Sequence, residues 1–263
     1  VGVYLEFIKI SFSQKFVYRM NSYISAISSL IKMLILISIW TALFKGQSAI
    51  SGIQLTDMIN FVIVNSIIGS LIYSNIANEI GSKVVDGSIS TDFIKPINFK
   101  YYIFANQIGE NVYMLIFNTV PAILLIIIYS GFTWPYQTNS LLLFFISLIN
   151  GFIIIYYFNY ILGLTTFWMT TSFYIDWFMK AFFQLFAGTF VPLWFYPDFL
   201  LYISKMLPFH LVAFEPIAIL LGKLSWHESI NVICTQFVWI ILLIIVEKLI
   251  WNKVEKKVIV HGG

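Results

Sequence analysis

Apolar residues come in long blocks along this chain, separated by short polar stretches. Blocks at about 23–44, 57–78, 110–129, 140–164, 174–191 and 229–250 each predict a helix. A helix rises about 1.5 Å per residue, so ~20 apolar residues cover the ~30 Å hydrocarbon core of a bilayer. Lipid offers no hydrogen-bond partners, so spanning segments must satisfy their backbone internally. The pattern predicts an all-α integral membrane fold, a single transmembrane domain over 1–263 with six spans.

Residues 4–19 follow a different pattern. Leu5, Ile8, Phe12 and Phe16 recur at helical spacing, opposite Glu6, Lys9, Ser13 and Lys15. This predicts an N-terminal amphipathic helix in the headgroup layer, in contact with membrane lipids; a simple anchor is the equal alternative. The first residues show no cleavable-signal pattern, so the first span is expected to direct insertion.

Polar positions inside the spans pose separate questions. Lys32 is costly at that depth and either faces protein or a cavity or snorkels to the interface. Asn65, Ser66, Ser70, Ser74 and Asn75 suit close helix packing, with a pathway lining as the other reading. Pro121 is expected to kink the third span. Asp176 and Lys180, four residues apart, are expected to pair. Trp134 and Tyr136 mark an interfacial loop at 130–139.

Two stretches stand outside the spans. Residues 192–228 hold Pro192, Pro197, Pro208 and Pro216 among Trp194, Phe195, Tyr196, Phe199, Phe209 and Phe214. Their apolar pieces are too short to span, which predicts re-entrant outer helices between spans 5 and 6. The other stretch is the polar island 79–96, with Glu79, Lys83, Asp86, Asp92 and Lys95, the breakers Gly81 and Gly87, and Pro96. Lipid cannot hold such a segment, so it lies in water or against a partner.

Composition sharpens the class. The chain has 263 residues, 60% hydrophobic and 10% charged, and its mean hydropathy is +0.89. A soluble domain carries roughly 25% charged residues. The net charge of +3 comes with no basic tract suited to nucleic acid. The single cysteine, Cys234, allows no intrachain disulfide. Lysine and arginine set the orientation: Lys9, Lys15, Arg19, Lys83, Lys95, Lys100, Lys248, Lys253, Lys256 and Lys257 share one side, and Lys45, Lys205 and Lys223 the other. The positive-inside rule puts both termini and the island in the cytoplasm and the Pro-aromatic segment outside.

Catalytic and metal motifs are missing from the sequence. His210, His227 and His261 are scattered, and no H-E-x-x-H, G-x-S-x-G or Walker loop occurs. The chain is therefore expected to be no enzyme by itself and to bind no metal or cofactor. It has spans and a polar island but no engine, which makes the island a candidate docking site for a soluble motor; an ordinary solvated loop is the alternative.

The island and the Pro-aromatic segment resemble those of membrane subunits of type-2 ABC exporters. The resemblance rests on Glu79, Asp86-Gly87-Ser88-Ile89, Asp92-Phe93 and Lys95-Pro96. It continues through Phe190-Val191-Pro192-Leu193, Phe195-Tyr196-Pro197, Leu207-Pro208-Phe209 and Glu215-Pro216. It implies a permease that pairs with a second permease subunit, itself or a sister, and with two cytoplasmic ABC ATPases that carry the ATP and Mg. It implies a coupling helix around Ser82–Ile89, with Glu79, Ser82, Lys83, Val84, Asp86, Gly87, Ser88 and Ile89 transmitting ATPase closure. It implies an N-terminal helix that also touches the ATPase, and an outer gate at Pro192, Trp194, Pro197 and Pro208. The expected activity is export of a hydrophobic or amphipathic substrate, such as a peptide or bacteriocin, a drug or a lipid. Heavy use of Ile, Asn, Lys and Phe points to a bacterial cell membrane. The competing classes are an ATPase-independent secondary transporter or channel, with Lys32 and Pro121 its weak candidates, and an intramembrane enzyme.

Overall fold

The computed structural model describes residues 2–72, 74–130, 140–169 and 173–262. The chain is helical apart from one two-stranded hairpin. The order is α1 (Gly2–Gln14), a 3-10 turn (Lys15–Tyr18), α2 (Arg19–Leu43), β1 (Ala49–Ile50), β2 (Ile53–Gln54), α3 (Leu55–Leu71), α4 (Ile76–Val85) and α5 (Ile89–Ile94). Then follow α6 (Phe99–Met114), a π-helical turn (Leu115–Thr119), α7 (Val120–Ser130), α8 (Ser140–Thr165), α9 (Phe173–Phe186), α10 (Asp198–Met206), α11 (Phe214–Leu220) and α12 (Trp226–Gly262). The hairpin sits in the loop after the first span, with Ser51 and Gly52 at positive φ in its turn.

Among the described residues, five helical stretches are long and apolar enough to cross a membrane: Met20–Leu43, Leu55–Val85, Phe99–Ile128, Ser140–Trp168 and Trp226–Lys257. The expected fifth span, 174–191, is a helix of 14 residues ending at Phe186. At about 1.5 Å per residue it covers only ~21 Å. Gly188, at φ +68°, turns the chain immediately after it, where a side chain would collide with Leu193.

The second span is not one helix. α3 stops at Leu71 and α4 restarts at Ile76. The freed backbone groups are taken by α6: Asn111 Nδ2 donates to the Leu71 carbonyl, and the Asn75 N–H donates to Gln107 Oε1 at 3.4 Å. Gln107 Nε2 donates to Asn111 Oδ1 at 2.6 Å, tying the two together. A break inside a span persists only where such partners exist.

The third span begins at Phe99, about eleven residues before the expected start at Glu110. Asn98 caps it, its side chain accepting from the Tyr101 N–H at 3.3 Å. The expected kink at Pro121 takes the form of the π-helical turn Leu115–Thr119 just before it. Proline lacks the N–H that would bond the Phe117 carbonyl, and its ring presses on that carbonyl; the wider turn relieves both.

The last helix runs 37 residues, Trp226–Gly262, and absorbs the lysine-bearing tail expected beyond residue 250. It packs along α8, where Gln236 Nε2 donates to Ser147 Oγ and to the Leu211 carbonyl, both at 2.8 Å. The main apolar core joins α2, α3, α7, α8, α9, α11 and α12. A smaller core of Ile76, Ile80, Ile89, Phe99, Ile103, Tyr156, Tyr160, Leu164 and Val254 sits beneath the island. The loop tryptophan and tyrosine at 134 and 136 and the side chains of Asp176 and His261 lie outside the described residues.

Candidate functional site

The island folds as a helical hairpin. α4 leads into a turn at Asp86–Ser88 and α5 returns. The single helix expected over Ser82–Ile89 is thus broken in its middle. Gly87 sits at φ +78°, a conformation costly for any residue with a Cβ. The Ser88 N–H donates to Asp86 Oδ1 at 2.8 Å and closes the turn. That hydrogen bonding holds the Asp86 carboxyl below the usual carboxylate range.

An ion network staples the two helices. Lys83 Nζ lies 2.9 Å from Glu79 Oε1 and 2.9 Å from Asp92 Oδ2. Lys95 Nζ lies 2.5 Å from Asp92 Oδ1. The Asp92 side chain is 6% exposed, so a single carboxylate shared by two lysines is the buried centre of the hairpin. Burial alone would push the Asp92 carboxyl up, but its bonds to Lys95 and Lys83 prevail and lower it. Tyr102 lies under both ammonium groups, at 5.5 Å from Lys83 and 4.9 Å from Lys95.

The hairpin rests on the rest of the chain through apolar contacts. Gly163 of α8 has no side chain to keep Ile80 away; a Cβ there would lie 2.8 Å from Ile80 Cδ1. Phe93 packs on Phe99 at 5.1 Å and on Trp251 of α12 at 5.9 Å. Lys257 Nζ donates to the Phe167 carbonyl at 2.6 Å, fastening the end of α12 to the turn after α8. Of the coupling candidates, Ile89 is buried, Glu79, Lys83 and Val84 are half-buried, and Ser82, Asp86, Gly87 and Ser88 are exposed. Val85 beside the turn and Ile94 at the far end of α5 add exposed apolar surface, at 60% and 82%.

The N-terminal helix lies against protein on one face. Tyr4, Phe7, Ile8, Ser11 and Phe12 pack along the length of α6, with Phe7 on Tyr102 at 4.8 Å and Phe12 on Tyr113 at 5.7 Å. Ser11 Oγ donates to the Asn106 carbonyl at 2.8 Å, and Lys15 pairs with Glu110 at 3.0 Å. Gly109 permits the approach, since a Cβ there would strike the Ile8 carbonyl. Phe16 meets Phe117 at 5.0 Å, while Leu5 points outward. The apolar face read from the sequence is therefore rotated toward Tyr4 and Phe7. Helical periodicity finds an apolar face but not the groove that receives it.

At the opposite end, Pro192 and Pro208 are buried and Pro197 is exposed at the start of α10. Trp194 is wedged between Phe61 at 5.8 Å and Phe214 at 4.8 Å. α11 is buried along its whole length. Lys223 pairs with Asp57 at 2.5 Å, holding this cover to the start of α3.

Between the two ends lies a cavity of about 600 Å³ that sequence reading did not assemble. Ser25, Ser28, Ser29 and Lys32 line it from α2, and Asn65, Ser66 and Ser70 from α3. Asn118 of the π-helical turn, Asn159 of α8 and, from α9 and the turn after it, Lys180, Gln184 and Thr189 add to its polar wall, and Phe209 lines it as well. The i, i+3, i+4, i+7 spacing of Ser25, Ser28, Ser29 and Lys32 was the available signal. Of the residues that suit either packing or a pathway lining, Asn65, Ser66, Ser70 and Ser74 line this cavity, and Lys32 lines it as well.

The sequence model of ABC-2 family transporter proteins matches residues 20–260. The chain belongs to the ABC-2 transporter family. This ABC-2 chain is thereby a type-2 ABC permease subunit and a multi-pass membrane protein. Membrane subunits of the ABC-2 family are typically non-enzymatic and work with ABC ATPase partners. Comparison of this ABC-2 permease with curated proteins and with solved structures finds no match.

Proposed function

We propose that this permease exports a hydrophobic or amphipathic substrate, driven by a separate cytoplasmic ABC ATPase that docks on the island. The observation that carries the reading is the build of the hairpin. Its base is stapled by Lys83 and Asp92, while its tip, Val85–Ser88, is exposed and carries one charge. A rigid lever with an exposed tip transmits a push from a partner into α8, on which α4 packs at Gly163, and into α6 through Tyr102. Lys9, Lys15, Lys83, Lys95, Lys100 and Lys248 gather at the same end, which supports placing that end in the cytoplasm.

In this reading α1 forms part of the same docking face, with Leu5 outward. The cover built from Pro192, Trp194, Pro197 and Pro208 closes the outer side. The Leu211 carbonyl bonds Gln236, ten residues into α12, which supports a re-entrant path for this segment. ATP and Mg belong to the partner. A second permease subunit completes the transporter, and a bacterial cell membrane is its expected site. The motor only has to bias two arrangements of the permease.

The test is co-purification. The permease should bring down a Walker-motif ATPase and alter its hydrolysis rate. Asp86→Arg and Gly87→Val should abolish that effect while membrane insertion stays normal. Substrate movement in liposomes on an ion gradient, with no ATPase present, would overturn the reading in favour of a secondary transporter or channel.

A further inference from the structure

The cavity between α2, α3, α8 and α9 has a mixed lining: Lys32 with the serines of α2 and α3 on one side, Lys180, Gln184 and Thr189 on the other, and Leu36, Ile155, Met179, Phe183 and Phe209 as its apolar walls. Lys32 stands about 13 residues into α2, roughly 20 Å along the helix. That is far beyond the reach of a lysine side chain to the near interface, which argues against snorkelling. Among the described residues it has no ion-pair or hydrogen-bond partner, and no carboxylate lines the cavity. A cation at this depth calls for an anion.

Two amide oxygens in the same wall also lack partners. Asn65 Nδ2 donates to the Thr189 carbonyl at 2.9 Å, which fixes its orientation and leaves Oδ1 buried without a donor. Asn118 Nδ2 donates to Ser25 Oγ at 2.9 Å, and its Oδ1 is likewise unpaired in a residue only 4% exposed. Buried acceptors of this kind are rarely left unsatisfied in a protein. The π-helical turn that holds Asn118 is a distortion found often at functional sites.

We infer that this cavity is a binding site for an amphipathic substrate carrying a carboxylate or phosphate beside one or more N–H or O–H donors. The anion meets Lys32, the donors meet the polar side chains Ser29 and Asn159 of the same lining, and the hydrocarbon or aromatic body lies against Leu36, Phe183 and Phe209. A cavity of about 600 Å³ suits a small amphiphile. The inference rests on the reading of the chain as an export permease and names its substrate class.

Binding is measured with the protein purified together with its partners, in nanodiscs of neutral phosphatidylcholine without ATP. The probes are N-lauroylglycine, which has carboxylate, amide donor and tail, and its uncharged glycinamide analogue. The acid should bind at least tenfold more tightly than the amide. Lys32→Gln should erase that difference, and Lys32→Arg should keep it. Asn159→Leu should weaken both probes several-fold. Thermal unfolding of each variant, unchanged from the parent, shows that the loss is local. Added phosphatidylglycerol that competes with the acid would identify a lipid phosphate as the source of the anion; failure to compete would leave a soluble carboxylate. Equal binding of acid and amide, or full binding by Lys32→Gln, would overturn the inference. Because no ATP is used, a positive result with no co-purified ATPase would preserve the site while removing the ATP-driven reading.

Discussion

The island and the cavity are both polar regions of an apolar protein, yet they are built in opposite ways. In the island, Lys83, Glu79, Asp92 and Lys95 use their charges on one another. In the cavity, Lys32, Asn65 Oδ1 and Asn118 Oδ1 have none of their needs met by the described residues. Internal satisfaction makes a region stiff and specific in shape. Unmet donors and acceptors make a region that gains by taking in something else. In the function proposed above, the contrast divides the labour of the permease: one part to carry force, the other to hold cargo.

The sharpest way to break the contrast is to unmake the island's network. Lys83→Met leaves Asp92 buried with only Lys95, and should destabilise the fold by about 3 kcal/mol. The loss should appear in thermal unfolding and in transport together. Pairing it with Asp92→Leu should restore much of the stability, as removing both ions of a buried pair often does. If the double variant is no better than the single one, the network is not the staple.

Lys32→Gln should act the other way, with stability held or raised and affinity for an anionic amphiphile lowered tenfold, about 1.4 kcal/mol. A parallel fall in melting temperature would show that Lys32 serves packing after all. Next in size, Gly87→Ala should cost about 1 kcal/mol, since its φ of +78° strains any L-residue. Hydrogen exchange confined to residues 82–94 reads that strain without global unfolding.

The smallest effect is that of pH. The Asp92 carboxyl is lowered in the folded chain, so its contribution is complete above its unfolded value of about 4. It is lost as pH falls below that toward the folded value. Acid should therefore loosen the island before the cavity, whose polar wall holds no described carboxylate. Protease accessibility at residues 82–94, followed from pH 6 down to pH 3, checks the order of events.

Much of the architecture was written in local pattern. Apolar blocks of membrane length announce spans, and the lysines Lys83, Lys95, Lys248 and Lys257 mark one end, because lipid and charge act on each residue separately. Asp86-Gly87 announces a turn, because only a residue without Cβ relaxes at positive φ. Pro121 announces a distortion, though not that it would be a π-helical turn presenting Asn118.

What the sequence could not decide depends on partners distant along the chain. The end of α3 at Leu71 and the start of α4 at Ile76 are met by Gln107 and Asn111, on another helix, which accept and donate what α3 and α4 release. The packed face of α1 is set by the groove at Gly109, not by α1's own periodicity. Asp92 is central because Lys83 reaches it across a turn. The cavity needs α2, α3, the π-helical turn, α8 and α9 brought together before its serines, asparagines and Lys32 share one wall. Burial and hydrophobic length are properties of a segment; satisfaction of a polar group belongs to a pair, and only the tertiary structure chooses the pair.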